Sequence, residues 1–178
     1  AEYGMTRQEG LVIENDSNYY AYRYPQTYLL PSLSSNDITA GITDGMHVFT
    51  PVAQGIVKGD STDDLTLTTL LSTSSTACSM QDYAEATTAE QGANDPNGPF
   101  NIAVAASNSA TGAKVVWVNC PNMLNSQMNS AVSGGNAQLL TSAVNWMTGE
   151  ENGVVIDSKS MSAETLTVPA KATMLLGL

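Results

Sequence analysis

Residues 135–151 constrain the fold more than any other stretch of this chain, because they describe one amphipathic helix with both ends marked. Asn136 is the predicted N-cap, and Gly149 stands where a left-handed residue would end the helix. Apolar residues recur between them at the spacing of one helix face: Leu140, Ala143, Val144 and Met147, with Leu139 and Trp146 widening the stripe. The pattern predicts a helix that packs on a core through this face.

Strand-like runs lie on both sides of this helix, at residues 114–119 and 154–156. A strand–helix–strand order usually joins parallel strands and covers one face of their sheet. The runs at 100–106 and 113–118 are joined by a short polar stretch, which predicts a β-hairpin. We therefore expect an α/β fold in which parallel strands form a covered sheet.

The charge of the chain limits its partners. Its 17 acidic and 6 basic residues give a formal net charge of −11, so it has no electrostatic footprint for nucleic acid or an anionic membrane. Charged residues make up 13%, about half of the usual ~25%, which favours an extracytoplasmic protein. No stretch approaches the ~20 apolar residues of a membrane span, and residues 1–5 show no signal peptide. We expect a single domain over residues 1–178, cut from a longer, anchored protein.

Catalytic and metal-binding patterns are weak. Ser61 follows Gly59 and Asp60 as in a GDS-type esterase motif, but the single histidine, His47, lies upstream and no nucleophile elbow is present. Asp60, Asp63 and Asp64 lack calcium-loop spacing and are interpreted as a solvated loop. The sequence therefore predicts no catalytic, cofactor-binding or metal-binding residues.

The two cysteines, Cys78 and Cys120, are far apart in the sequence. We expect two buried thiols that behave as small apolar side chains. A disulfide between them is the alternative, and sequence spacing does not decide between the two.

Tyrosines crowd into residues 19–28, which hold five of the seven in the chain. Tyrosine suits surfaces where one end of the side chain is apolar and the other is wet, as at protein or sugar interfaces. Alternation along a strand would place Tyr20, Tyr22 and Tyr24 on one face, as a binding surface. The alternative is that these rings only cover a sheet edge.

Several motifs, in this order, resemble the extracytoplasmic domain of gliding-motility-type auxiliary proteins of ABC transport systems, the ABC-type uncharacterized transport system domain. They are AEYGM at 1–5, YLLP at 28–31, NDIT at 36–39, LLSTS at 70–74, GN at 135–136 with WMTGEE at 146–151, and VVIDSK at 154–159. The chain departs from the family where an acidic residue is expected near Asn119 and Cys120, and where Asn36 replaces a histidine.

The resemblance implies an α/β/α sandwich with a mostly parallel sheet, glutamine-amidotransferase-like or flavodoxin-like, of which this chain would be the C-terminal part. It implies a non-enzymatic accessory domain on the extracytoplasmic side, anchored by segments outside this chain. Its partners would be an ABC permease and an ATP-binding subunit, and it would bind a partner subunit or a cell-envelope substrate.

Two other functions are open. One is a secreted carbohydrate-binding module that uses the Tyr19–Tyr28 segment as a stacking platform. The other is a degenerate hydrolase that uses Ser61 and His47. If this chain lacks the first strand of the resembled domain, the open sheet edge that this leaves would favour a homodimer.

Overall fold

The structure, a computed structural model, describes residues 2–21 and 23–150. Its strands are β1 Met5–Arg7, β2 Leu11–Ile13, β3 Tyr28–Leu29, β4 Ser32–Leu33, β5 Thr50–Pro51, β6 Ile56–Lys58, β7 Leu65–Ser72, β8 Cys78–Met80, β9 Asn101–Asn108 and β10 Lys114–Val118. A 3₁₀ helix, Pro121–Leu124, is followed by helices α1, Ser126–Ala131, and α2, Gly135–Thr148. No helix in this part of the chain has both the length and the apolar character that crossing a bilayer requires.

The two longest strands, β7 and β9, form the centre of a six-stranded sheet. Its order is β1-β6-β9-β7-β4, and β10 also pairs with β9. β9 accommodates both β6 and β10 because β6 meets it only at Asn101, whereas β10 pairs with residues 103–107. Two smaller sheets pair β2 with β8 and β3 with β5. The β3–β5 pair carries the candidate site.

Strand direction overturns the expected fold class. Every pairing among the described residues is antiparallel. The expected α/β/α sandwich with a mostly parallel sheet, glutamine-amidotransferase-like or flavodoxin-like, is therefore wrong. The run at 114–118 pairs back onto β9 as the predicted hairpin, and a short connection permits only antiparallel neighbours. The run at 154–156 lies outside the described residues.

Both ends of α2 can be compared with their predictions. The helix is confirmed over Gly135–Thr148, and Gly149 ends it in the left-handed region at φ 74°. The predicted N-cap is wrong, because Gly134 takes that position at φ 83°. Asn136 instead lies in the first turn of the helix, where it is 1% exposed.

The buried face of α2 is also rotated from the predicted stripe. Leu139 and Ala143 are buried, whereas Val144 and Met147 are 53% and 37% exposed. The first turn of the helix packs on the core through Gly135. Leu139 and Ala143 lie one and two turns further along the same face, so they face inward.

The main sheet has apolar side chains on both faces. Along β10, Val116 and Val118 pack on the larger core cluster, which also contains Leu139 and Ala143 of α2. The alternate residues, Val115 and Trp117, pack on a second cluster that contains Met5, Ile56, Leu67, Val104 and Ala106. Helix α2 therefore covers one face of β10.

A carboxylate is buried where β2 ends. Glu14 is fully buried and accepts hydrogen bonds from the backbone N–H groups of Asp16 and Ser74, both at 3.0 Å. The Ser74 hydroxyl donates a third, at 2.7 Å. Because both carboxylate oxygens have donors, Glu14 acts as a structural tie between β2 and the turn after β7.

Candidate binding surface

The tyrosine-rich segment turns back on itself instead of continuing as a strand. Tyr20 forms an isolated bridge with Leu29. The Tyr24 N–H then donates to the Ala21 carbonyl at 3.0 Å, which reverses the chain. Tyr22 lies outside the described residues. Tyr24 is not in a strand, and the predicted binding surface of Tyr20, Tyr22 and Tyr24 stays a prediction.

The turn brings a different pair of rings together. Tyr24 stacks on Tyr28 with 5.5 Å between ring centroids and 23° between planes. Tyr28 rests in turn on Phe49 at 5.6 Å. Tyr24 is 59% exposed and Phe49 only 5%, so the stack runs from solvent into the core. We name Tyr24 and Tyr28 the tyrosine platform. Its rings are held in place before any ligand arrives.

A groove of about 250 Å³ adjoins the platform and shares Tyr28 with it. Its described lining is uncharged: Tyr28, Pro51, Val52, Asn122, Asn125 and Met128. Three separated segments supply these residues, namely β3, the chain at β5, and the 3₁₀ helix with α1. Only tertiary structure brings them together, and no sequence motif marks the groove.

Val52 has an unusual backbone at the rim of this groove. Its φ of 57° is in the left-handed region, which a β-branched residue rarely adopts. The Val52 N–H donates to the Thr27 carbonyl at 2.8 Å, and β3 pairs with β5 just before it. The same conformation leaves the side chain 42% exposed. Strain of this kind, held by surrounding structure, often accompanies a ligand site.

Asn136 supports the site from beneath. Its Oδ1 accepts from the Phe49 N–H at 2.8 Å, and its Nδ2 donates to the carbonyls of Phe49 and Met123, each at 2.9 Å. One side chain thus joins Phe49, which directly precedes β5, to the 3₁₀ helix that borders the groove. Gly135 permits this contact, because a Cβ there would overlap the His47 carbonyl oxygen. The GN motif of the resemblance therefore has a packing role here.

Cys120 lies under the same groove. Its thiol donates to the Pro51 carbonyl at 3.2 Å, and burial raises the pKa of this thiol to about 11. Cys78 is in a separate cluster with Ile13, and burial, with the negative charge of Asp95 next, raises its pKa as well. Both cysteines are buried free thiols, which confirms their predicted burial and excludes a bond between them here. Thiols of raised pKa are poor nucleophiles at neutral pH.

The other candidates from the sequence lie elsewhere. The Ser61 hydroxyl accepts from the Leu67 N–H at 3.0 Å, at the start of β7. The His47 N–H donates to Val132, beside α2, and no hydrogen bond among the described residues joins His47 to Ser61. Asp60, Asp63 and Asp64 are exposed, and no group of three or more potential ligands in the described ranges could hold a metal ion.

A second cleft, of about 620 Å³, lies at the C-terminal end of α2. It is lined by both charge signs, including Asp37, Lys114 and Glu150. Lys114 Nζ donates to the Trp146 carbonyl at 2.9 Å and lies 4.9 Å from that ring's centroid. The cation therefore stabilises the end of the helix.

Comparison with known proteins informs the fold. No protein-family model and no curated protein matches the chain. It is similar to a solved structure described as the mmIFT52 N-terminal domain, with a TM-score of 0.54 and 15% sequence identity. The match covers 83% of this chain and 54% of that one, so the chain spans about half the length of the domain it resembles. Identity this low shows a shared fold and does not bear on the ABC-transport resemblance.

Proposed function

We propose that this chain is a non-enzymatic binding domain whose tyrosine platform stacks against a neutral glycan. The observation that carries the proposal is the exposed Tyr24 ring, stacked on Tyr28 above the buried Phe49. The C–H-rich face of a sugar ring packs on such a surface while the tyrosine hydroxyls and the sugar hydroxyls stay in water. Tyrosine also loses little conformational entropy on binding, because only two side-chain angles are fixed.

Charge supports a neutral ligand. The chain has a net charge of −11, and none of the described residues that line the groove is charged. A polyanion such as nucleic acid would be repelled and would find no paired cation in this groove. A glycan without charged groups is not repelled by the acidic chain and needs no paired cation in the groove.

The wider setting is proposed from the sequence resemblance alone. In it, the chain is an extracytoplasmic accessory domain, anchored by segments outside this chain, and it works with an ABC permease and an ATP-binding subunit. Purification of the intact parent protein from solubilised membranes tests this setting. Recovery of both subunits by mass spectrometry supports it, and recovery of the parent protein alone refutes it.

The proposed homodimer has a candidate location. No strand among residues 2–21 and 23–150 pairs with the outer edge of β10. A second copy could extend the sheet there by edge pairing. Sedimentation that shows a monomer at high concentration would refute this proposal.

Depletion from solution by insoluble cellulose and chitin tests glycan binding. The parent chain should be retained by at least one polysaccharide, and Tyr24→Ala should lower its affinity about tenfold, which is ~1.4 kcal/mol of lost stacking and burial. Tyr83→Ala is the matched control, because Tyr83 is also exposed, at 47%, but lies away from the platform. Retention of neither polysaccharide, or equal losses in both variants, would overturn the proposal.

A further inference from the structure

The groove beside the platform is sized for a substituent of a ligand. Its volume of about 250 Å³ is several times the ~30 Å³ share of a water molecule. It is smaller than the ~300–1,000 Å³ of pockets that enclose whole small molecules. Tyr28 belongs to both the platform and the groove, so the two sites adjoin.

Part of the groove lining is apolar. Pro51, Val52 and Met128 form this part, and Val52, whose φ is 57°, is partly exposed. Burial of a ligand's methyl group against these apolar side chains favours binding. A hydroxyl in the same place gives no such gain.

The rest of the lining includes amide groups that are available to a ligand. The Asn122 side chain makes no hydrogen bond within the described part of the chain, and Asn122 is exposed. The Asn125 Oδ1 accepts from the Gln127 N–H at 2.9 Å, which leaves its Nδ2 without a partner among the described residues. The groove therefore offers a hydrogen-bond acceptor and several donors together with apolar side chains.

These properties match one common sugar substituent. We propose that the groove binds the acetamido group of an N-acetylated glycan, an inference that rests on the proposed function. The acetamido methyl packs on Val52 and Met128, and its carbonyl and N–H pair with the amides of Asn122 and Asn125. A free ammonium or a carboxylate in its place would lack a counter-charge among the lining residues.

Titration calorimetry on the whole chain tests the inference with two oligosaccharides of the same β-1,4 backbone. Chitohexaose carries acetamido groups where cellohexaose carries hydroxyls. We expect chitohexaose to bind about tenfold more tightly, the size of one net hydrogen bond plus a buried methyl. Asn122→Ala should bring the two affinities within about threefold of each other and leave cellohexaose binding unchanged. Asn94→Ala, an exposed asparagine in another loop, should keep the tenfold ratio.

The outcomes separate this inference from the proposed function. Equal binding of the two oligosaccharides, with both lost in Tyr24→Ala, overturns the acetamido site and leaves the glycan platform standing. A ratio that survives Asn122→Ala also overturns the site. Binding of neither oligosaccharide overturns the proposed function, and the acetamido site with it.

Discussion

Replacement of Asn136 by alanine should destabilise the protein by about 3 kcal/mol. The side chain makes three hydrogen bonds to backbone groups and is 1% exposed, so water does not replace it. Each bond contributes ~1 kcal/mol net, and a buried group left unsatisfied costs ~1–3 kcal/mol. The better helix propensity of alanine recovers at most ~0.7 kcal/mol. The loss therefore lies between about 2 and 5 kcal/mol.

Urea unfolding measures this loss. With a slope of ~1–3 kcal/mol per molar urea for a small protein, a loss of about 3 kcal/mol should lower the midpoint by about 1–3 M. Asn145→Ala is the matched control, because Asn145 is on the same helix and its side chain makes no hydrogen bond among the described residues. That control should change stability by less than ~0.5 kcal/mol. A loss below ~1 kcal/mol for Asn136→Ala, or equal losses in both variants, would refute the reasoning.

Three further predictions concern the same region. Gly135→Ala should cost about 1–2 kcal/mol of unfolding free energy although alanine favours helix, because its Cβ would meet the His47 backbone; a urea midpoint above that of the parent would contradict this. Val52→Gly should relieve the strain at φ 57° and keep or raise stability by up to ~1 kcal/mol, while calorimetry shows weaker glycan binding; a loss of stability would show that no strain is stored there. Burial raises the pKa of Cys120 from 9.0 to about 11, so the unfolded thiol loses its proton first, and stability should fall as the pH rises from 9 to 11. Between about pH 8 and about pH 10.5, the urea midpoint of Cys120→Ala, which retains Cys78, should therefore fall less than that of the parent chain. Equal falls in both proteins would refute the link between the Cys120 pKa and stability.

Sequence patterns predicted the features that depend on near neighbours in the chain. The apolar spacing in residues 135–148 predicted α2, and Gly149 predicted its end, because only glycine enters the left-handed region without strain. The short polar connection before Lys114 predicted the β9–β10 hairpin.

Sequence patterns did not predict which distant segments meet. An amphipathic helix between two strand-like runs is compatible with parallel or antiparallel neighbours, and the hairpin decided the direction at β10. Asn136 looks like a cap from its local sequence, yet its partners Phe49 and Met123 are 87 and 13 residues away. Tyr24 was expected to align with other tyrosines on a strand, and a turn stacked it on Tyr28 instead.

By itself, then, the sequence determined the helix, the hairpin, the low content of charged residues and their acidic balance, and the concentration of tyrosines near the start of the chain. Tertiary structure decided the antiparallel sheet, the choice of Tyr24 and Tyr28 as the exposed pair, and the groove that three separated segments build beside them. The physical reason is the distance along the chain over which each kind of interaction acts. Backbone preferences and side-chain periodicity act over a few residues, whereas strand pairing and a groove depend on burial and hydrogen bonds between segments that only the folded chain brings together.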